Sequence, residues 1–416
     1  MKSIIVLLCI GLTFAVKARY DNYHVFRVIP EDLTQLNVLR ELENQNSGYI
    51  FWETPNFIGR FADFVVPPHK LAEIDIILAK FGMEYTTLTT NLQEWIDNEG
   101  IAPRKRAAFD WNEYHNLPTM YKWMDDIAAQ YPNIVTKFNV GKTYEGRDIL
   151  GLKISYKDGN EGIFVKGNIH AREWITSATA TWILNELLTS TDPNVRDIAE
   201  NIDWYIVPVV NPDGFQYSHT SDRMWRKNRK PSSSFCHGAD INRNFGFKWM
   251  AMGASGNPCH EAYAGSSEFS EPETVALAAF YSSIAENITA YIDFHSFGQF
   301  LMYPYGTSGA GDISNRKEHI KVGKAMQNKI AERYGTKYVF GNLAETLYEA
   351  SGCAIDWVKG VYDTPFVFVI EMRDTGTYGF MLPADQIVPN AEEILDSLVT
   401  MVQEARKLGY FDQNNN

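Results

Sequence analysis

The larger part of this chain is predicted to fold as an α/β sheet with helices on both faces, and two observations carry that expectation. From residue 107 onward, apolar β-rich runs alternate with stretches of helical period. Three of those runs end at conspicuous polar groups, as strands do at the ligand-binding edge of an open α/β sheet. Residues 19–106 read differently. They hold short alternating strands and amphipathic helices, a small α+β unit ahead of the large one.

Taken in order, residues 1–18 have the make-up of a secretory signal. Lys2 supplies the positive end, Ile4 to Ala15 the apolar stretch, and Ala15 and Ala18 the small residues of a cleavage site. That stretch is shorter than the roughly 20 apolar residues a bilayer span needs, and no later segment is long and apolar enough, so the mature chain is expected to be secreted. Within the first unit, Tyr23 to Val28 and Phe61 to Val66 are expected strands. Asp32 to Leu42 is an expected helix, with Leu33, Leu36, Leu39 and Leu42 at helical spacing. The unit turns polar at Asn98-Glu99-Gly100 and ends in Arg104-Lys105-Arg106. A basic triplet between two folding units of a secreted chain reads as a processing site for a trypsin-like protease. The expected organisation is a signal over 1–18, a prosegment over 19–106 and a main domain over 107–416. In the main domain, Ile163 to Val165, Tyr205 to Val210, Ala290 to Phe294 and Phe366 to Ile370 are expected buried strands. Ala178 to Leu188, Pro272 to Ala285 and Glu393 to Ala405 are expected helices.

Charge and cysteines narrow the setting. The 416 residues carry a net charge of −13 and a pI near 5.2, against the basic surface a nucleic-acid partner or an anionic membrane wants. Both units are acidic, 9 basic against 13 acidic residues in the first and 27 against 38 in the second, so bulk charge does not hold them together. Cys9 leaves with the signal. Of the remaining three, Cys236 and Cys259 lie 23 apart across a Gly/Ser-rich stretch and are expected to form a disulfide, leaving Cys353 as a buried, inert thiol. Asn287-Ile288-Thr289 is a glycosylation sequon.

The polar groups at the strand ends carry the chemistry. The first run leads into Asn168-Ile169-His170-Ala171-Arg172-Glu173-Trp174, the third ends at His295-Ser296, and the fourth at Glu371-Met372-Arg373-Asp374. Two His and two Glu thus reach one edge of one sheet. Two imidazoles and a carboxylate around an open fourth position make a catalytic zinc set. A helical His-Glu-x-x-His pattern is absent. A single His at a strand end is more often a hydrogen-bonded rim residue, and His24, His69, His115, His219, His237, His260 and His319 are read that way. Joint placement sets His170, Glu173 and His295 apart.

His170-Ala171-Arg172-Glu173-Trp174 resembles the zinc motif of the pancreatic-type metallocarboxypeptidases, the A/B family. Asn211-Pro212-Asp213-Gly214, Arg223-Met224-Trp225-Arg226-Lys227, Asp240-Ile241-Asn242-Arg243-Asn244, Tyr348-Glu349-Ala350-Ser351-Gly352 and Glu371-Met372-Arg373-Asp374-Thr375-Gly376 follow in the family's order. The resemblance covers residues 107–416 and, more loosely, the prosegment. It implies a mixed, largely parallel, eight-stranded sheet behind a small activation domain, an A-like specificity and secretion as a procarboxypeptidase. It implies one Zn2+ per chain, held by His170, Glu173 and His295. Glu371 would be the general base and Arg226 the oxyanion-stabilising group. Arg243 and Asn242 would clamp the substrate's terminal carboxylate, Tyr348 would close over it and Arg172 would meet residues upstream. Asp240 is the expected partner of His170's other ring nitrogen.

By the same resemblance the specificity pocket is lined by Met302, Leu343, Leu347, Ala350, Ile355 and Val369. Ile355 lies at the floor, where the basic-specific branch places an acidic residue. With no carboxylate among these positions, aromatic and aliphatic C-terminal residues are expected, since a buried unpaired cation is costly. The implied partners are peptides with a free C-terminal carboxylate, the activating protease and proteinaceous carboxypeptidase inhibitors, in an extracellular or digestive lumen. The alternatives are a catalytically silent binding module on the same fold and a zinc deacylase. The first should have lost one of the catalytic positions; the second has no use for the clamp Asn242-Arg243.

Overall fold

The computed structural model describes residues 17–45, 48–100 and 109–411. Residues 1–16 of the signal stretch, the basic triplet at 104–106 and residues 412–416 lie outside the described residues. In the first unit β1 (His24–Val28), β2 (Ile50–Phe51), β3 (Ala62–Val66) and β4 (Tyr85–Thr89) form an antiparallel sheet in the order β2-β3-β1-β4. The helix Leu33–Asn44 starts where the leucine spacing places it, because the Asp32 carboxylate accepts from the Gln35 N–H and satisfies a first-turn donor. Leu39 and Leu42 pack on Phe26, Val28, Phe64 and Val66, and Leu36 is buried. Leu33, part of the same stripe, is exposed.

The main domain contributes β5 (Val135–Lys142), β6 (Asp148–Ile154), β7 (Gly162–Lys166), β8 (Asp203–Val207), β9 (Ile288–Ser296), β10 (Phe300–Tyr303), β11 (Val339–Asn342) and β12 (Phe366–Met372). They form one mixed sheet in the order β11-β10-β12-β9-β7-β8-β6-β5. The central strands β12, β9, β7 and β8 run parallel; β12, β9 and β7 contain three of the expected buried strands whole, and β8 holds the start of the fourth. The run Tyr205 to Val210 leaves the sheet at Val207, because Pro208 has no N–H for a ladder; the Val210 N–H bonds the Gly167 carbonyl instead. Helices Leu117–Gln130, Trp174–Thr189, Arg316–Tyr334 and Ile387–Arg406 cover one face, and Pro272–Ile284 and Ala354–Tyr362 the other. Helix Trp174–Thr189 starts earlier than the apolar run at Ala178 suggests. It is buried on nearly every side, so small residues and threonines take the place of an amphipathic stripe.

Cys236 and Cys259 are joined, and Cys353 is free and buried. The two units meet over the carboxyl edge of the parallel strands. Val25, Val65 and Trp52 of the first pack with Met224, Phe297, Phe380 and Met381 of the second. Between them Arg223 donates through Nε to Glu99 at 2.6 Å, both side chains fully buried. Among the described residues, no helix is long and apolar enough to cross a membrane.

Candidate active site

Where β7 ends, the chain must turn sharply into the helix Trp174–Thr189, and two residues make that possible. A Cβ at Gly167 would lie about 3.0–3.2 Å from the Pro208 carbonyl and the Thr176 backbone. Asn168 adopts φ +44, and its amide donates to the carbonyls of His170 and Glu173. Side-chain amides tolerate this left-handed conformation better than most. The turn therefore sets His170 and Glu173 side by side at the carboxyl edge. The neighbouring strand β9 delivers His295, and β12 delivers Glu371 directly opposite His295 in register.

His170, Glu173 and His295 converge, all buried. His170 Nδ1 lies 2.7 Å from Glu173 Oε1, His295 Nδ1 lies 3.2 Å from Glu173 Oε2, and the two Nδ1 atoms are 3.2 Å apart. Two ring nitrogens facing each other beside a carboxylate can present their lone pairs to one cation bound between them. Ligands about 2.0 Å from a tetrahedral zinc are about 3.3 Å from one another, so these separations suit that ion. Electrostatics agree. Burial alone would raise the Glu173 carboxyl, but His170 and His295 hold it well below the ordinary range. Burial opposes charge on His295, yet Asp293 and Glu173 push its imidazole up to about 10. The cluster favours positive charge.

Asp240 ties the metal cluster to the arginines. It caps the turn Ile241–Arg243, its Oδ1 lies 3.1 Å from His170 Nε2, and its Oδ2 accepts from Arg226 Nη2 at 2.8 Å. Arg243 is oriented by the Gly253 and Asn242 carbonyls, at 2.8 and 2.9 Å, and its guanidinium lies 5.6 Å from the centre of the Tyr348 ring. The Asn242 amide oxygen accepts from the Ala354 N–H, which turns Nδ2 toward His295. Arg172 is fully buried, bonded to the Met224 carbonyl and Glu261 and set against Phe380. Burial pushes the Glu371 carboxyl up to about 8.

A single cavity joins these parts. Its wall includes His170, His295, Glu371, Asn242, Arg243 and Tyr348, together with the apolar Leu343, Leu347, Ala350, Ile355 and Val369. Two features differ from the sequence reading. Met302 is fully buried, paired in register with Val369, and is not part of that wall. The wall does contain a carboxylate, Asp293, ion-paired with Lys166. Its signal was there to read: Asp293 stands two residues before His295 on a strand, hence on the same face.

A neighbouring cavity shows what lies over the arginines. Glu43, Phe51, Trp52, Glu53 and Thr54 of the first unit face Arg172, Arg226, Arg243 and Tyr348. Arg60 donates to the carbonyls of Thr346 and Leu347, just ahead of Tyr348.

Comparison with known proteins agrees with this geometry. Residues 120–397 match the zinc carboxypeptidase family, and residues 26–99 match the carboxypeptidase activation peptide. Zinc carboxypeptidase A 1 of Anopheles gambiae is 41% identical over 403 residues, covering 96% of this chain and 93% of that protein. The crystal structure of carboxypeptidase A from Helicoverpa armigera superposes with a TM-score of 0.84 at 27% identity, over 93% of this chain and 98% of that one. Bovine thrombin-activatable fibrinolysis inhibitor, solved in complex with tick carboxypeptidase inhibitor, gives a TM-score of 0.67 at 34% identity, over 72% of this chain and 99% of that one. Two domains matched in order, with relatives aligned from end to end, leave one reading: the chain belongs to the zinc carboxypeptidases, Zn2+-dependent hydrolases of peptide bonds, and carries their activation peptide.

Proposed function

We propose that this protein is a secreted zymogen whose main domain, residues 107–416, removes aromatic and aliphatic residues from peptide C-termini after trypsin-like cleavage following Arg106. The observation that carries the reading is one cavity on whose wall His170 and His295 of the metal-binding triad, a carboxylate clamp and apolar side chains meet. A silent binding module gains no support, since every catalytic position is filled.

His170, Glu173 and His295 would hold the zinc. Bound there, zinc supplies Lewis-acid polarisation of the scissile carbonyl and a water of pKa near ~7. The remaining work falls to side chains. Arg243, with the Asn242 amide, binds the terminal carboxylate, because a planar guanidinium meets it bidentately. That clamp places the last peptide bond, and no internal one, beside Glu371. Glu371 accepts the proton of the attacking water on its carboxylate and returns it to the leaving amine. Arg226, already turned by Asp240, donates to the oxyanion as charge develops. Tyr348 covers the bound residue and excludes water, and Arg172 meets the peptide upstream.

The C-terminal side chain enters between Leu343, Leu347, Ala350, Ile355 and Val369. Asp293 is compensated by Lys166 and so offers no net charge to an incoming cation. The apolar stretch at residues 4–15, residues 1–18 as a signal, and the disulfide fit an extracellular chain. The activating protease and proteinaceous inhibitors, of the kind in the tick inhibitor complex, are the expected protein partners.

The test uses two blocked dipeptides, one ending in Phe and one in Arg, after trypsin treatment and with or without a chelator. Chelator-sensitive release of Phe alone is expected. Preference for Arg would overturn the specificity, and no release of either from zinc-loaded protein would overturn the activity.

A further inference from the structure

The two imidazoles of the triad are held alike from behind. His170 presents Nδ1 to Glu173 and Nε2 to Asp240, whose second oxygen is paired with Arg226. His295 presents Nδ1 to Glu173 and Nε2 to Asp293 Oδ1 at 3.0 Å, and the Lys166 ammonium donates to that same oxygen. The second arrangement follows from strand register. Asp293 stands two residues before His295 on β9, so both point to one face, and Lys166 of β7 lies directly opposite Asp293. Both members of the pair are essentially inaccessible to solvent.

We propose that Asp293, held in place by Lys166, is a positioning residue for His295, fixing the tautomer and ring orientation in which Nδ1 faces the metal. This rests on His295 being a zinc ligand. A neutral imidazole carries one N–H, so a ligand bound through Nδ1 must keep its proton on Nε2. Two groups approach that nitrogen. The Asn242 Nδ2, 3.3 Å away, is a donor, and accepting from it would leave the proton on Nδ1. The Asp293 carboxylate, closer and charged, accepts from Nε2–H and selects the tautomer the metal needs.

Packing alone does not account for the pair. Lys166 ends a strand that is otherwise Gly162, Ile163, Phe164 and Val165. A buried ion pair is a weak stabiliser, and apolar replacements of similar volume are often neutral or stabilising. Its place behind a metal ligand points to the ligand. Lys166 donates to the Asp293 carboxylate and aims it.

The experiment is the zinc dissociation constant, measured by competition with a chromophoric chelator on the uncleaved chain. It compares wild type, Asp293→Asn and the double variant Lys166→Met/Asp293→Leu. The double variant removes both charges and keeps the volume, so it isolates loss of the Nε2 acceptor. The expected result is a zinc-free melting temperature at or above that of wild type, with zinc held about 10–100-fold more weakly. Zinc held as tightly as in wild type would overturn the proposal. If the double variant does not fold, the isosteric Asp293→Asn decides: weaker retention supports the positioning role, and unchanged retention overturns it. Absence of zinc binding by wild type itself would instead overturn the ligand assignment on which the proposal rests.

Discussion

The two units of this chain bury their strands in different ways. In the main domain both faces of the central sheet are covered by helices of that domain, so its core is its own. The sheet of the first unit is covered on one face by its own helices, through Phe26, Val28, Phe64 and Val66. Its other face, with Val25 and Val65, packs on Leu92 and Ile96 of its own helix Leu92–Asn98 and is completed by Met224, Phe297 and Phe380 of the main domain. One unit therefore holds its site without help, and the other completes its own burial by covering that site. An inhibitory cover can be built from a fold that is incomplete alone, because docking and folding then draw on the same apolar surface.

Variants that break this contrast should differ in what they lose. The largest effect belongs to Glu371→Gln in the main domain, where kcat after cleavage should fall about 10²–10⁴-fold with zinc content unchanged. Steady-state kinetics beside metal analysis reads both. Next comes the latch between the units. Breaking a buried ion pair by removing one partner costs about 3–5 kcal/mol, so Glu99→Gln, which leaves the Arg223 charge unmatched, should loosen the prosegment by upwards of about 10²-fold. Peptidase activity should then appear sooner after trypsin treatment, with the final rate unchanged.

Acid and alkali should separate the two units further. His319 of the main domain is buried against Phe366 and Phe368, and its Nε2 accepts from the Val367 N–H. Burial lowers its pKa from 6.5 to about 3. Between those values the unfolded chain binds the extra proton, so main-domain stability should fall as pH drops through that window. Thermal melting across pH 3–7 of wild type and of His319→Gln checks this, the variant showing a shallower slope. At the interface the sign reverses. Burial raises Glu43 and Glu53 from 4.5 to about 7. The docked state keeps protons that the free prosegment releases, so docking is favoured in acid and weakens as pH rises through about 7. Retention of the clipped prosegment on gel filtration should fall several-fold from pH 5 to pH 8.

Much of this was legible in the sequence, for stated physical reasons. The central strands were found because continuous apolar runs have few other uses, and the site because three of those strands stop at His, His and Glu. The leucine spacing located the helix Leu33–Asn44. What escaped depended on register across strands rather than along them. Lys166 and Asp293 are 127 residues apart and become partners only when β7 is laid beside β9. The pair Glu99–Arg223 joins two units whose composition gives no hint of docking. Met302 was placed on the pocket wall from the family pattern, and its burial became visible only once β10 was paired with β12.

On this reading the catalytic constellation is complete in the uncleaved chain and only covered. The direct measurement is zinc content and release of C-terminal Phe from a blocked dipeptide, on the same sample before and after trypsin cleavage. One zinc per chain throughout, with chelator-sensitive release only after cleavage, is the expected result. Equal release before and after, or zinc bound only after cleavage, would contradict it.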